Sequence, residues 1–202
     1  MLYFGAKGTM TPNRNVMVHM LIRALIPNMS LLLPLSNAFA EIEKIAIPGE
    51  KGMSLYWWPK LSPVSGWEQD RDFSFKFSAN ALAPTGASFA DAETVMYAKA
   101  VFKPRVPKAK SLAMLIESDK KDFLANVPGI SIQDAPSLVT ADGKKLISLI
   151  YTPKEKGNWE PVSYLEEGEF YLIFTVSSRT QAGFLATAKA YETLIELYKE
   201  KP

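Results

Sequence analysis

The segment Phe170 to Val176, FYLIFTV, constrains the fold of this chain most. A strand sends successive side chains to opposite faces, so a run that is apolar at every position but Thr175 is apolar on both. Such a strand needs cover above and below and a neighbour on each side. It predicts the middle of a sheet with a layer packed on either face. The flanking sequence supplies the neighbours. Glu166-Glu167-Gly168-Glu169 separates Pro161 to Leu165 from Phe170, and Ala141-Asp142-Gly143-Lys144 separates Ser137 to Thr140 from Lys145 to Tyr151. Both read as hairpins, and hairpins make antiparallel pairs.

Further strands are expected at Glu41 to Ile47, Met53 to Trp58 and Thr94 to Phe102, the last with Val95, Tyr97, Lys99 and Val101 on one side. Asp72 to Ser78 places Phe73, Phe75 and Phe77 at period two and predicts another strand. Ile130 to Gln133 is too short to assign. Ser111 to Asn126 has helical spacing, with Leu112, Leu115, Ile116 and Phe123 on one stripe. A terminal helix is expected from Ser178, with Gln181 completing a capping box. Its stripe is Phe184, Ala188, Tyr191, Leu194, Ile195 and Tyr198. The class is therefore α+β: an antiparallel β-sheet flanked by amphipathic helices, an α/β/α sandwich.

Charge divides the chain at Ala40. Residues 1–40 carry Lys7, Arg14 and Arg23 and no acid, then an apolar run from Leu21 to Leu35, then Ser36-Asn37-Ala38-Phe39-Ala40. Basic start, apolar middle and small-x-small end are the order of a secretory signal peptide. Residues 1–40 are expected to be removed near Ala40, from a start at Met1, Met10, Met17 or Met20. One globular domain, residues 41–202, would then be periplasmic or secreted. The uncut alternative is a disordered or membrane-anchoring N-terminus. Without the leader the balance is 20 basic against 21 acidic residues, a net of −1. That charge predicts no nucleic-acid partner, and no later apolar run approaches membrane-spanning length. The chain has no cysteine, and its one histidine, His19, lies in the leader. The mature domain is thus expected to lack imidazole and thiol, which removes Ser-His and Cys-His catalysis and most transition-metal sites. No cofactor, metal site or catalytic residue is expected.

The Asp142-Gly143 hairpin, the strand carrying Ser163-Tyr164-Leu165, the apolar strand from Phe170, and Ser177-Ser178 leading into a final amphipathic helix together resemble the PsbP/DcrB-like superfamily. Gly66-Trp67 and the helix from Ser111 fit the same pattern, and the likeness spans most of residues 60–200. The resemblance implies an α/β/α sandwich and an accessory or assembly factor that binds other proteins. It carries over no functional residue.

Candidate sites follow from residue chemistry. Tyr56, Trp57, Trp58, Trp67 and Trp159 lie near predicted strand ends or loops, where indole faces can stack on sugars, peptides or cations. Trp57 and Trp58 must point to opposite faces of one strand, so at least one is core. Tyr56, Trp58, Trp67 and Trp159 are the expected binding residues, for an envelope protein or polysaccharide. Glu166, Glu167 and Glu169 read as a solvated turn rather than a calcium site. Asp70 and Asp72 flank Arg71, which favours an ion pair. With one of the three glutamates they are the alternative, a carboxylate-based envelope glycan hydrolase. Ser177 to Thr180 reads as a helix cap, and Lys103, Arg105, Lys108 and Lys110 as a solvated basic loop. The leading expectation is an exported, non-catalytic binding or accessory protein.

Overall fold

Strands and helices form where local sequence leaves the backbone its fewest alternatives. The computed structural model describes residues 42–49, 52–62 and 64–199. In chain order they form β1 (Ile42–Gly49), β2 (Gly52–Pro59), β3 (Trp67–Gln69), α1 (Arg71–Phe77), β4 (Asn80–Pro84), β5 (Thr94–Phe102), a 3-10 turn (Lys103–Arg105), α2 (Leu112–Asn126), β6 (Ser131–Ala135), β7 (Ile147–Thr152), β8 (Glu160–Glu167), β9 (Phe170–Ser178) and α3 (Gln181–Glu196). All lie in one compact unit, Asn37–Pro202. The proposed leader lies outside the described residues.

Seven strands make one antiparallel sheet in the order β3-β4-β5-β9-β8-β7-β6, and β1 and β2 pair as a separate hairpin. β9 is the central strand. It pairs with β5 from Thr94 opposite Ser178 to Phe102 opposite Phe170, and with β8 on its other edge. Its alternate residues serve two cores. Leu172, Phe174 and Val176 join Met96 and Ala98 of β5 under Tyr191, Leu194 and Ile195 of α3. Ile173 joins Leu149, Tyr151, Val162 and Tyr164 on the other face, under Ile116 and Phe123 of α2. Each such side chain gains about 1.5–3 kcal/mol on full burial, so neither face of β9 can be left to water. The mixed α+β fold with flanking helices is the one expected from FYLIFTV and its hairpins.

Several elements differ from expectation: β3 and β4 form where the sequence predicts no strand, and Ser137 to Thr140, predicted as a hairpin strand, makes only an isolated bridge, Val139 opposite Lys145. Residues 71–77 form a helix, not a strand. Asp70 caps it by accepting the Phe73 N–H at 3.0 Å, and Ser78 ends it in the left-handed region with φ 53°. Phe73 and Phe77, four apart, then stack at 5.5 Å, a contact period two would forbid. α3 starts at Gln181 with Thr180 as its cap, because Ser178 is held as the last residue of β9 by Trp159 and by the Thr94 hydroxyl at 2.7 Å. Ala188 turns out exposed, and Thr187 takes the buried place on the α3 stripe. The unassigned stretch near Ile130 becomes β6, an edge strand on β7.

Candidate functional site

The expected aromatic surface is not one surface. Trp58 is 3% exposed and meets Phe75 edge-on at 5.8 Å, so it belongs to the core. Trp57 faces the other way, 5.0 Å from Phe102 and with the Arg105 guanidinium 4.6 Å from its ring centroid. Tyr56 is half-buried opposite Ile45 in the β1–β2 hairpin. Trp159 is half-buried and stacks on Phe184 at 5.9 Å. Trp67 on β3 and Trp159 at the start of β8 are separated by four strand spacings, about 19 Å. Strand order, invisible in residue spacing, divides the group.

The same order separates the carboxylates of the hydrolase alternative. Asp70 follows β3 and Glu166 and Glu167 end β8, again four spacings apart, which leaves no pair facing across one pocket at the roughly 5–10 Å that glycoside hydrolysis needs. Each has a structural task besides. Both Asp70 oxygens accept backbone N–H groups, from Phe73 at 3.0 Å and Phe89 at 2.9 Å, and these hold its carboxyl below the usual carboxylate range. Glu166 pairs with Lys103 at 2.6 Å. Glu167 is buried and accepts from the Tyr198 hydroxyl at 2.8 Å. Arg179 donates to the Ala90 carbonyl at 2.5 Å.

What the sheet does assemble is a cavity of about 400 Å³ beside Trp67. Its parts come from separate elements. Gln69 lies opposite Leu82 and Trp67 opposite Pro84, and residues opposite one another share a face, so Trp67, Gln69, Asn80 and Leu82 all point to the α3 side of the sheet. Lys60, Leu61, Ser62 and Val64, in the connection after β2, close one wall, and Glu43 of β1 reaches the rim. Asn80 is 5% exposed. Its Nδ2 donates to the Pro59 carbonyl at 3.0 Å, while its Oδ1 has no hydrogen-bond partner among the described residues. A buried amide oxygen left unpaired costs about 1–3 kcal/mol. Glu68, between Trp67 and Gln69 on β3, turns to the opposite face, where its Oε1 accepts the Gly86 N–H at 2.9 Å. Amide, carboxylate and hydroxyl groups around an indole suit a neutral, hydroxyl-rich ligand. Of this site the sequence picked out Trp67 alone. Asn80, Gln69 and Lys60 bear no motif, and only the register of β3 on β4 brings them together.

A second polar group sits on the α2 side of the sheet. Asn158 donates to the Ser177 hydroxyl at 2.7 Å, which donates to Glu160 Oε1 at 2.5 Å. Burial pushes the Glu160 carboxyl up despite hydrogen bonds from Ser177 and Asn158. Burial also raises Asp119 of α2, against the hydrogen bond from Tyr164. Tyr151 and Tyr164 share a hydroxyl contact of 3.2 Å, and burial raises both. Among the described residues no group of three or more Asp, Glu, His or Cys is placed to hold a metal ion. No helix among them is long and apolar enough to cross a membrane.

No protein-family model matches the chain, and no curated protein matches it in sequence. Among solved structures it is similar to PA94 of Pseudomonas aeruginosa, a protein of unknown function, at 13% identity and a TM-score of 0.48 over 79% of this chain and 99% of that one.

Proposed function

We propose that this chain is an exported, non-catalytic binding protein of the cell envelope whose Trp67–Asn80 cavity takes a saccharide. One observation carries the reading: Asn80, whose buried amide oxygen has no hydrogen bond among the described residues, is among the residues lining a cavity walled by an indole. The cavity lies within the ~300–1,000 Å³ usual for small-ligand sites. Trp67 offers a stacking face, and Asn80 Oδ1 accepts from a sugar hydroxyl. Gln69, Ser62 and Lys60 supply further hydrogen-bonding groups around it. Export is supported by the acid-free N-terminus ending in Ala38-Phe39-Ala40. Membership of the PsbP/DcrB-like superfamily is part of the same proposal, supported by the antiparallel sheet with helices on both faces.

Titration with oligomers of N-acetylglucosamine and with soluble envelope polysaccharide, read by tryptophan fluorescence, tests the proposal. The expected result is saturable quenching that Trp67→Ala and Asn80→Ala each weaken about tenfold or more, with helical and sheet content unchanged by circular dichroism. An unmodified protein whose fluorescence ignores every glycan ends the reading. Intact mass of the protein recovered from its host tests export, and a species retaining residues 1–40 overturns it.

A further inference from the structure

β6 is an open end of the sheet. It pairs with β7 from Ser131 opposite Thr152 to Ala135 opposite Ser148, and no strand among the described residues lies on its other side. Alternate backbone N–H and C=O groups along it therefore point outward, a template for one more strand. Neither proline nor lysine guards this edge, and its single charge is Asp134.

Side chains fix what can pair there. Ile132 and Asp134 lie opposite Tyr151 and Leu149, so both point to the α2 side of the sheet. They line a depression of about 520 Å³ together with Lys120, Lys121 and Leu124 of α2. Leu124 is 57% exposed. Lys120 is paired with Glu117 at 2.9 Å. Lys121 and Asp134 line the same depression, yet neither has an ionic partner among the described residues.

We infer that β6 pairs antiparallel with β6 of a second copy of this chain, about a two-fold axis at Gln133. A two-fold normal to a sheet makes a strand and its copy antiparallel and keeps like faces on the same side. With the axis at Gln133, Ile132 comes opposite Asp134 of the second copy, and Ser131 opposite Ala135 of the second copy. Each Asp134 is carried across the seam toward the unpaired Lys121 of the other chain. Two Lys121–Asp134 pairs form, one on either side of the axis, beside Ile132 and Leu124.

Charge also fixes the register. An axis at Asp134 would set that carboxylate against itself, a destabilising pairing. An axis at Ile132 would set Asp134 against Ile130, which lies outside the strand. The seam of five residue pairs is small beside the ~1,200–2,000 Å² of a stable interface, so a dissociation constant of about 10–100 µM is expected. The Trp67 cavity adjoins β3 at the opposite edge and stays open in the dimer.

Sedimentation velocity of the full-length protein from about 2 to about 300 µM tests the inference. A reversible monomer–dimer equilibrium is expected, weakened as salt is raised. Asp134→Lys and Lys121→Asp should each weaken it about tenfold or more, and the two together should restore it to within about threefold of the unmodified protein. Both positions are exposed, and an unchanged melting temperature verifies that each variant is folded. The outward amides of β6, open in the monomer, should gain hydrogen-exchange protection as concentration rises. A monomer at every concentration, a dimer indifferent to Asp134→Lys, or a double variant no stronger than the single ones would overturn the inference. So would β6 amides protected only when host extract is added to a monomeric protein, because a foreign strand would then hold the edge. None of these results bears on the glycan titration.

Discussion

At the level of single residues, Glu160 shows how burial and hydrogen bonding compete. Water is withdrawn from its carboxyl, which disfavours the charged form, and the Ser177 hydroxyl at 2.5 Å recovers only part of that loss. A carboxyl raised in the folded state holds its proton more tightly there than in the unfolded chain. Its stabilisation is full below the ordinary value of 4.5 and is lost as pH rises through the folded-state value. Glu167 and Asp119, raised by burial, act in the same direction. Glu160→Gln keeps an acceptor for Ser177 and removes the charge. It is expected to raise the melting temperature by about 2–4 °C at about pH 7, the size of ~1 kcal/mol in a domain of this length. Near pH 4 it should change little, and melts across that range check both halves. Asp119 faces Lys99 and Tyr164, whereas among the described residues the Glu160 carboxyl is held by the neutral Ser177 and Asn158, so the variant at 160 is the cleaner probe.

Individual elements show where local signals compete. DFSFKFS alternates as a strand would, yet the cap from Asp70 and the stacking of Phe73 on Phe77 and Phe89 make it a helix. Asp70→Ala removes the cap and the tie to the Phe89 N–H together. A loss of about 1–2 kcal/mol is expected in urea denaturation near neutral pH. Because the folded-state carboxyl is lowered, the wild type has that advantage above the ordinary value of 3.8 and loses it as pH falls through the folded-state value. The two proteins should therefore converge in acid. Gly183, in the first turn of α3, is constrained from outside its helix. A methyl group there would stand 2.5 Å from Thr94 Oγ1 and 2.6 Å from Ser178 Oγ, the pair that fixes the end of β9 against β5. Alanine favours helix over glycine by roughly 1 kcal/mol, but overpacking costs typically ~1–3 kcal/mol. Gly183→Ala is expected to lower the denaturation midpoint, and an increase would show that the strand end yields without cost.

Across the whole molecule, order in the sheet sets a gradient of stability. β9 is paired on both edges and covered on both faces, while β3 and β6 are edges. Native-state hydrogen exchange should find the slowest amides between Tyr171 and Val176, with protection close to that of global unfolding. The outer amides of β3 and β6 should exchange through local opening. Rapid exchange within β9 would mean that the two cores do not close over it.

Much of this architecture could be read from residues in line. Thr94 to Phe102 and Phe170 to Val176 announce strands, Ser111 begins α2 by accepting the Met114 N–H at 3.3 Å, and Gly168 marks its hairpin. In each case the cause lies within a few residues: a β-branched or aromatic run, a capping hydroxyl, a turn glycine. Ser178 was less legible, because its hydroxyl serves the strand and Thr180 serves the helix, and either residue type caps.

The site was barely legible for a different reason. Periodicity tells which side chains share a face of one element, and it is silent on which elements lie side by side. Strand order put Trp67 and Trp159 about 19 Å apart, while packing of β2 sank Trp58 beside Phe75. The register of β3 on β4 gathered Asn80 and Gln69 around Trp67. Secondary structure here is decided by short-range backbone sterics and capping, which the order of residues carries directly. Neighbourhood across the sheet is decided by burying the faces of β9 and both helices at once, a condition met only when the whole chain has folded.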